Sequence, residues 1–519
     1  MLICCQIPMY NVYFGAVAGI ESIVCGGRRY RLSHERGFEM KADESILGLR
    51  HQVIYEVAKL AFDGQLEKAE YLPEKIIPGT LPHYRCCVYK EREIVRRRVR
   101  LSLGKTESEV DTGNIMQVIE PACADCPISS YSVTDNCRSC LGKACLRSCK
   151  FGAIQAGPHR SVIDATKCKE CGQCAKACPY NAIVHLERPC KKSCPVDAIS
   201  YDEQGLSRID EEKCIRCGRC MHHCPFGAIG TIDSIVPVIE ALKSGKEVYA
   251  MAAPAIEGQY GPEIGMGSWR KALKEVGFTD FFEVGLGGDL TTSAEAEEWY
   301  EAYQKGEMRT TSCCPAFVNM IRMHYPKLDQ YVSTAVSPMC ELSRMIKAQH
   351  PGAVTVFIGP CIAKKSEIKD QKIPGNADYA LLYEEIEAIL KAKEVELTPV
   401  EDNYQLASIF GKKYATSGGV AAAVLQYLDE TDRGGNYKVE RPSGGAELRK
   451  TLTMASFGRL NADFVEGMAC EGGCFNGPAS KVSGPVAMKN RKALLEKADD
   501  RKITENLKNY DLDSFPRYR

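Results

Sequence analysis

The chain is 519 residues long, enough for about three domains of ordinary size. Its 67 basic and 67 acidic side chains cancel, which argues against a nucleic-acid or polyanion binder held by bulk charge, and 45% hydrophobic content fits a folded globular protein. The 27 cysteines sit in too long a chain for a small disulfide-stapled secreted domain. Gathered at metal-ligand spacings, they point to a reducing compartment and iron–sulfur chemistry.

Residues 1–20 lack a basic start, and Gln6, Pro8 and Asn11 interrupt their apolar stretch, so no export signal is expected. Arg28-Arg29 reads as a surface pair, because no apolar segment follows it. No apolar run reaches membrane-spanning length, and the expectation is a cytoplasmic chain without a membrane partner. Residues 1–115 read as a small α+β domain of unknown role. Within it Ile46, Leu49, Val53, Val57 and Leu60 predict an amphipathic helix over Ser45–Tyr71. Val95, Val99, Leu101 and Leu103 alternate with Arg96, Arg98, Arg100 and Ser102, which predicts a strand with a solvated arginine face. Cys4, Cys5, Cys25, Cys86 and Cys87 have no ligand spacing and read as structural.

Residues 116–232 read as tandem ferredoxin-like α+β domains. One tetrad recurs four times, as Cys149-Lys-Phe-Gly-Ala-Ile154, Cys178-Pro-Tyr-Asn-Ala-Ile183, Cys194-Pro-Val-Asp-Ala-Ile199 and Cys224-Pro-Phe-Gly-Ala-Ile229. Intervals of 29, 16 and 30 residues mean two units of two repeats each. Cys168-x2-Cys171-x2-Cys174-x3-Cys178-Pro and Cys214-x2-Cys217-x2-Cys220-x3-Cys224-Pro match the bacterial ferredoxin run, in which the fourth cysteine ligates the neighbouring 4Fe–4S cube. Cys137-x2-Cys140-x4-Cys145-x3-Cys149 is a loosened copy. Crossing then assigns one cube to Cys137, Cys140, Cys145 and Cys178, and a second to Cys149, Cys168, Cys171 and Cys174. A third falls to Cys194, Cys214, Cys217 and Cys220. Cys190 and Cys224 are left with half a ligand set. Cys123 and Cys126 complete a fourth cube if the first unit is inserted between Cys126 and Cys190; otherwise they are free thiols or bind separately. Three to four accessory cubes follow.

From residue 233 the texture changes. Val248–Ala253, Asp280–Val284 and Val354–Ile358 read as buried strands separated by helices such as Trp269–Val276 and Tyr383–Lys391, an α/β domain over 233–495. Residues 496–519 read as a charged C-terminal tail. Three segments carry cysteines in unusual company: Thr311-Ser-Cys-Cys-Pro-Ala316, Gly359-Pro-Cys-Ile-Ala-Lys-Lys365 and Glu466-Gly-Met-Ala-Cys-Glu-Gly-Gly-Cys474.

In this order, and after a ferredoxin-like module, these segments resemble the three signatures of FeFe-hydrogenases. The resemblance runs over roughly residues 123–490. It implies a large α/β catalytic domain holding an H-cluster, a 4Fe–4S cube bridged to a diiron subsite that carries CO, cyanide and a dithiolate amine. By position, Cys314, Cys361, Cys470 and Cys474 would ligate the cube, with Cys474 bridging to the subsite. Cys313 would stand nearest the amine and pass protons, Lys364 would pair with a cyanide ligand, and Met468 would pack beside the diiron unit. A proton route is implied through Glu295 and Glu298, with Ser333 the hydroxyl between them. The chemistry agrees: soft thiolates suit a cube, a thiol can relay protons, and an ammonium suits an anionic ligand.

The chain departs from the family pattern around the subsite. Gly359 stands where methionine is common, Ala255 where serine is, Met339 where glutamine is and Tyr414 where phenylalanine is. The third segment ends Phe475-Asn-Gly-Pro-Ala479 without the common glycine-rich continuation. These changes resemble the divergent group B branch; the ligands survive while the residues that tune the subsite differ. Cys340 reads as a packed core thiol. The implied activity is reversible interconversion of protons, electrons and H2. Electrons would pass through the accessory cubes to or from an acidic ferredoxin steered by lysines such as Lys191 and Lys192, and hydrogenase maturation proteins would be further partners. Two alternatives are a hydrogen-sensing hydrogenase-like protein and an iron–sulfur assembly factor without the diiron subsite. Retention of Cys313, Lys364 and Cys474 favours the enzyme.

Overall fold

A computed structural model describes residues 22–25, 28–31, 46–85, 87–108, 114–126, 130–401 and 404–519. Cys4, Cys5, Cys86 and the side chain of Cys25 lie outside what is described. Residues 1–49 form one compact unit, whose described strands Ser22–Cys25 and Arg28–Arg31 pair antiparallel; residues 50–519 form the other. The helix expected over Ser45–Tyr71 is α-helical over Ile46–Asp63 and continues, after a break at Gly64, as a 3-10 turn over Leu66–Tyr71.

Residues 95–102, expected as a strand, belong instead to a helix, Val88–Ser102. The apparent alternation spans too few residues to define a period. The buried positions Val88, Glu91, Ile94, Val95, Arg98, Val99 and Ser102 follow a helical one, and Arg98 points inward to donate to Gly227 O at 2.5 Å. Glu91 accepts from the backbone of His83 and Tyr84 and so holds the incoming loop. Glu93 and Arg97 pair at 2.7 Å one turn apart.

The fourfold tetrad has a backbone cause. Its fourth residue, Gly152, Asn181, Asp197 or Gly227, is in each case left-handed, with φ between 49 and 61°. Glycine, asparagine and aspartate are the residues that tolerate this conformation best. The turn aims the following alanine N–H at the cysteine: Ala182, Ala198 and Ala228 donate to the sulfurs of Cys178, Cys194 and Cys224 at 3.4, 3.2 and 3.3 Å. In the first Cys-x2-Cys turn of each of the three ferredoxin runs the residue before the second cysteine is also left-handed, namely Ser139, Glu170 and Arg216.

Two ferredoxin-like units follow, one nested in the other. The inner unit pairs Ser130–Val133 with Ile183–Leu186 and Ile154–Ala156 with Ser161–Ile163. The outer unit pairs Ile199–Tyr201 with Ser207–Ile209, and its other ladder joins Met116–Val118 to Ile229–Thr231 across the insertion.

The C-terminal α/β region is built on a parallel sheet ordered Asp280–Glu283, Val248–Ala252, Val354–Ile358, Tyr379–Leu381, and on a small parallel sheet ordered Arg309–Thr310, Phe464–Val465, Val439–Glu440. The helix Val284–Gln304 is buried along most of its length. Gly287 lets it approach the turn at Pro338, where a Cβ would collide with the Pro338 carbonyl. Residues 496–519 are not a free tail. Ile503, Leu507 and Phe515 enter the main core, Asn506 donates to Asp289 at 2.8 Å and Arg517 to Glu341 at 2.7 Å. Wide spacing of the apolar residues among charges hid this in the sequence.

Candidate active site

The carboxyl ends of both sheets meet, the place where open α/β sheets gather their functional groups. Ala253-Pro254 follow one strand, Cys361 follows Val354–Ile358, Cys313 and Cys314 follow Arg309–Thr310, and Met468 and Cys470 follow Phe464–Val465. Together with Cys474, Lys364, Met339, Phe357 and Tyr414 they line one largely apolar cavity of about 100 Å³. The three cysteine segments expected to converge therefore do. Cys217, from the accessory module, lines the same cavity.

Burial pushes the Cys361 thiol up to about 11 and raises Cys470 and Cys474 as well. Thiols in such a pocket do not ionise unaided near neutrality, and a bound cation replaces their protons outright. Among the described residues no three His, Cys, Asp or Glu side chains close on a single-ion position. Four cysteines spread around a wider apolar cavity suit a cube, whose sulfur ligands stand further apart than those of one ion.

Lys364 reaches the cavity from the second segment. Its Nζ donates to Glu367 Oε2 at 2.6 Å, to Ser337 Oγ at 2.8 Å and to Cys313 O at 3.4 Å. Burial opposes the ammonium, but Glu367 together with Cys361 and Cys313 more than offsets it, and the lysine stays charged. Burial also pushes the Cys313 thiol well above its ordinary range, so Cys313 stays protonated near neutrality.

Glu295 is fully buried and accepts from Ser312 N at 2.9 Å. Ser312 Oγ lies 3.2 Å from the carboxylate and 2.6 Å from Ala335 O. Its one proton serves the shorter bond, leaving a lone pair for a proton on Glu295. Burial raises Glu295 to about 8, so it holds that proton at neutrality. Glu298, nearer the surface, accepts from Thr334 N at 3.0 Å and from the Thr334 hydroxyl. Ser333 is buried, and its Oγ accepts from Ala335 N at 3.2 Å. The hydroxyls that touch the two carboxyls are thus Ser312 and Tyr414 at Glu295, the latter donating to Oε2 at 3.5 Å, and Thr334 at Glu298. Ser312 stands inside the first quoted segment, and the sequence reading passed it over because serine carries no spacing signal of its own. Cys340 is fully buried, as expected of a core thiol.

The raised carboxyl has a measurable sign. Between pH 4.5 and about 8 folded Glu295 keeps a proton that the unfolded chain releases. Its contribution to stability is full below pH 4.5 and fades as pH rises through about 8. Glu295→Gln should flatten that decline in denaturant midpoints measured across this range; an unchanged slope rejects the assignment.

The accessory cysteines gather in the expected sets. Cys137, Cys140, Cys145 and Cys178 line one small cavity, and Cys149, Cys168, Cys171 and Cys174 another. Cys214, Cys217 and Cys220 all feel the charge of Cys194, and burial pushes Cys217 to about 12. Cys126 and Cys190 both feel Cys123 and Cys224. Buried Arg188 approaches Cys123 Sγ at 3.7 Å, and Ser207 N donates to it at 3.3 Å, donors suited to a thiolate.

Residues 246–478 match the family described as iron only hydrogenase large subunit, C-terminal domain. Residues 184–235 match the LdpA Fe-S cluster-binding domain, and residues 161–184 a 4Fe-4S binding domain. The chain is FeFe-hydrogenase-like. Iron hydrogenase 1 of Clostridium pasteurianum is 26% identical over 394 residues, 66% of this chain and 67% of that one. The periplasmic Fe hydrogenase large subunit of Nitratidesulfovibrio vulgaris is 28% identical over 306 residues, 48% of this chain and 72% of that one. A solved FeFe-hydrogenase variant from Chlamydomonas reinhardtii superposes with a TM-score of 0.42 at 21% identity, covering 52% of this chain and 91% of that one. In this FeFe-hydrogenase-like chain no described helix is long and apolar enough to cross a membrane.

Proposed function

We propose that this chain interconverts H2 with protons and electrons, drawing on or feeding a ferredoxin. The observation that carries the reading is the convergence of Cys313, Lys364, Met468 and four further cysteines on one buried cavity. Cys314, Cys361, Cys470 and Cys474 are the residues that would hold the cube of an H-cluster. The diiron subsite, when bound, supplies the redox metal at which H2 is made or split. Everything else is work for the chain. The ammonium of Lys364, fixed by Glu367 and Ser337, offers an N–H to an anionic ligand in the cavity. The apolar wall of Ala253, Met339, Phe357 and Met468 excludes water. Cys313 Sγ holds the proton nearest the cavity, Glu295 holds the next within the protein, and Glu298 stands toward solvent. Cys217 brings the third accessory set to the cavity wall as the last step of an electron path.

Infrared spectroscopy of protein produced with the hydrogenase maturation system, under hydrogen and under argon, tests the reading. Bands of iron-bound CO and cyanide together with turnover support it. Absence of those bands sinks it in favour of an assembly factor, and bands with negligible turnover favour a sensor.

The cluster content makes a second expectation. Four accessory cubes and one catalytic cube amount to about 20 irons, plus two in the subsite. The double substitution Cys123→Ser, Cys126→Ser should lower iron content by about four per chain. An unchanged iron content would remove the fourth set.

A further inference from the structure

Helix Val88–Ser102, in the region to which the sequence assigns no role, covers one of the accessory cysteine sets. Its Ile94 and Leu101 pack with Ile119, Ala122 and Cys123 in a small core, and Cys224 and Phe226 lie against that core. Cys123 and Cys190 are both buried. Cys190 also packs with Cys194 and Cys220, so the set of Cys123, Cys126, Cys190 and Cys224 adjoins the third set, whose Cys217 lines the active cavity.

Positive charge is sealed in with these sulfurs. Among the described residues of 87–230 the buried basic side chains are Arg98 and Arg188, and both stand at this set. Arg188 Nη1 reaches Cys123 Sγ at 3.7 Å and Ser207 Oγ at 3.4 Å, while Nη2 donates to Cys126 O at 3.1 Å. Its guanidinium lies over the Tyr201 ring at 4.6 Å, and Lys191, expected to steer a partner, lies over the same ring at 5.5 Å. Because Ser207 Oγ accepts from Arg188, its own proton is free for Cys190 Sγ at 3.7 Å. Ser207 N donates to Cys123 Sγ and Ala228 N to Cys224 Sγ, each at 3.3 Å. Arg98 holds Gly227 O in the turn that follows Cys224; burial lowers it to about 10, so it keeps its charge at neutrality.

Two further donors here, Tyr201 Oη and Arg98 Nε, are buried with no partner among the described residues. Buried donors are normally satisfied, and the sulfides of a bound cube are acceptors that would serve them. The other sets are dressed more sparsely. Among the described residues of 130–186 no charged side chain is buried. The sulfurs of the first two sets meet Ala182 N, Glu170 N and the Ser161 hydroxyl, and those of the third meet Ala198 N.

We propose that Arg188 and Arg98 make the cube of Cys123, Cys126, Cys190 and Cys224 the most easily reduced of the accessory cubes, so that it is the place where an electron waits in this chain. The proposal rests on the fourth ligand set put forward above and not on hydrogen turnover. A cube held by four thiolates is anionic, and the electron it accepts adds another negative charge. Buried guanidiniums and N–H donors at sulfur favour that charge and raise the potential. Exclusion of water opposes it, but the same low polarity strengthens the pull of a cation in contact, and two cations face one added electron. In the step the third cube loses one electron and the fourth gains it; no atom and no proton changes place. A two-electron reaction served by one-electron cubes has use for such a store.

Redox titration of the reconstituted full chain, followed by electron paramagnetic resonance, is the test. The accessory signal of highest potential should disappear in Cys123→Ser, Cys126→Ser. Arg188→Gln removes the charge and keeps an N–H donor; it should lower that potential by at least about 59 mV, a tenfold change in the one-electron equilibrium, and leave the other signals in place. Arg188→Lys keeps the charge and should move it less. A highest-potential signal that survives the double serine substitution, or that ignores Arg188→Gln, overturns the proposal. If Arg188→Gln loses the cube's iron, the double serine variant decides alone, by loss or survival of that signal. The titration reads cubes, so a chain without CO and cyanide bands can still pass it. Failure of the fourth set shows separately, as an iron content that the double serine substitution leaves unchanged.

Discussion

Cys313→Ala should lower hydrogen uptake and hydrogen evolution together by at least ~10², the scale of a lost general acid–base step. The side chain lines the cavity, while its own carbonyl accepts from Lys364 and its neighbour Cys314 caps the helix Pro315–His324. Adjacent cysteines in an extended turn cannot both bind one iron without strain, so one ligates and the other keeps its proton. Burial holds that thiol neutral, and Glu295, protonated at neutrality, is the next carrier in the proposed route. Alanine removes the proton and little volume, so the CO and cyanide bands should persist in Cys313→Ala. Cys314→Ala should instead lose the cube. Near-normal turnover in Cys313→Ala would mean that protons enter elsewhere, and the route through Glu295 and Glu298 would fall with it.

Lys365→Met should cost about 3–5 kcal/mol of stability, the range for removing one partner of a buried ion pair. Lys365 stands beside Lys364 in the sequence but faces the other way. Its Nζ lies 2.7 Å from Glu385 Oε2, with 3% and 0% of the two side chains exposed, and donates to Ile232 O at 3.0 Å. Glu385 also accepts from Ser234 N and Leu382 N. The lysine thus fastens the segment after the last strand of the iron–sulfur module to the C-terminal α/β domain. Without it the carboxylate is stranded, or escapes by taking a proton, so the loss should be larger at pH 8 than at pH 5. Chemical unfolding at the two pH values checks both magnitude and direction. A loss under about 1 kcal/mol at both would show the pair to be no better than a surface one.

The cysteine sets were legible because ligation leaves a periodic trace. A thiolate on a tight turn demands Cys-x2-Cys, and the turn that aims the next N–H at sulfur demands Gly, Asn or Asp at a fixed offset. The convergence of Cys313, Lys364 and Met468 was legible only by resemblance, since parallel strands distant in sequence carry them to one edge. Ser312, Thr334, Ser337 and Glu367 were not legible. They act through single hydrogen bonds to side chains far along the chain, and such contacts impose no spacing. The helix Val88–Ser102 was misread because its arginines fall on both faces, with Arg98 buried against Gly227. The C-terminal segment was misread because its contribution to the core comes from isolated residues, Ile503, Leu507 and Phe515.

Nesting one ferredoxin-like unit inside another sets an order of manufacture. The inner lobe has all its cysteines once Cys178 has emerged from the ribosome, and its strands need no later residue than Leu186 to pair. The outer unit cannot close until Ile229–Thr231 arrive to pair with Met116–Val118. Cys123 and Cys126 therefore wait for Cys224 while roughly 100 residues are added, an interval of about 5–20 s at bacterial or eukaryotic rates of synthesis. During that wait they are open thiols beside a finished lobe. The proposed fourth ligand set is thus the last of the accessory sites to be furnished, and the one most open to oxidation or to capture by a competing metal before iron and sulfide are delivered.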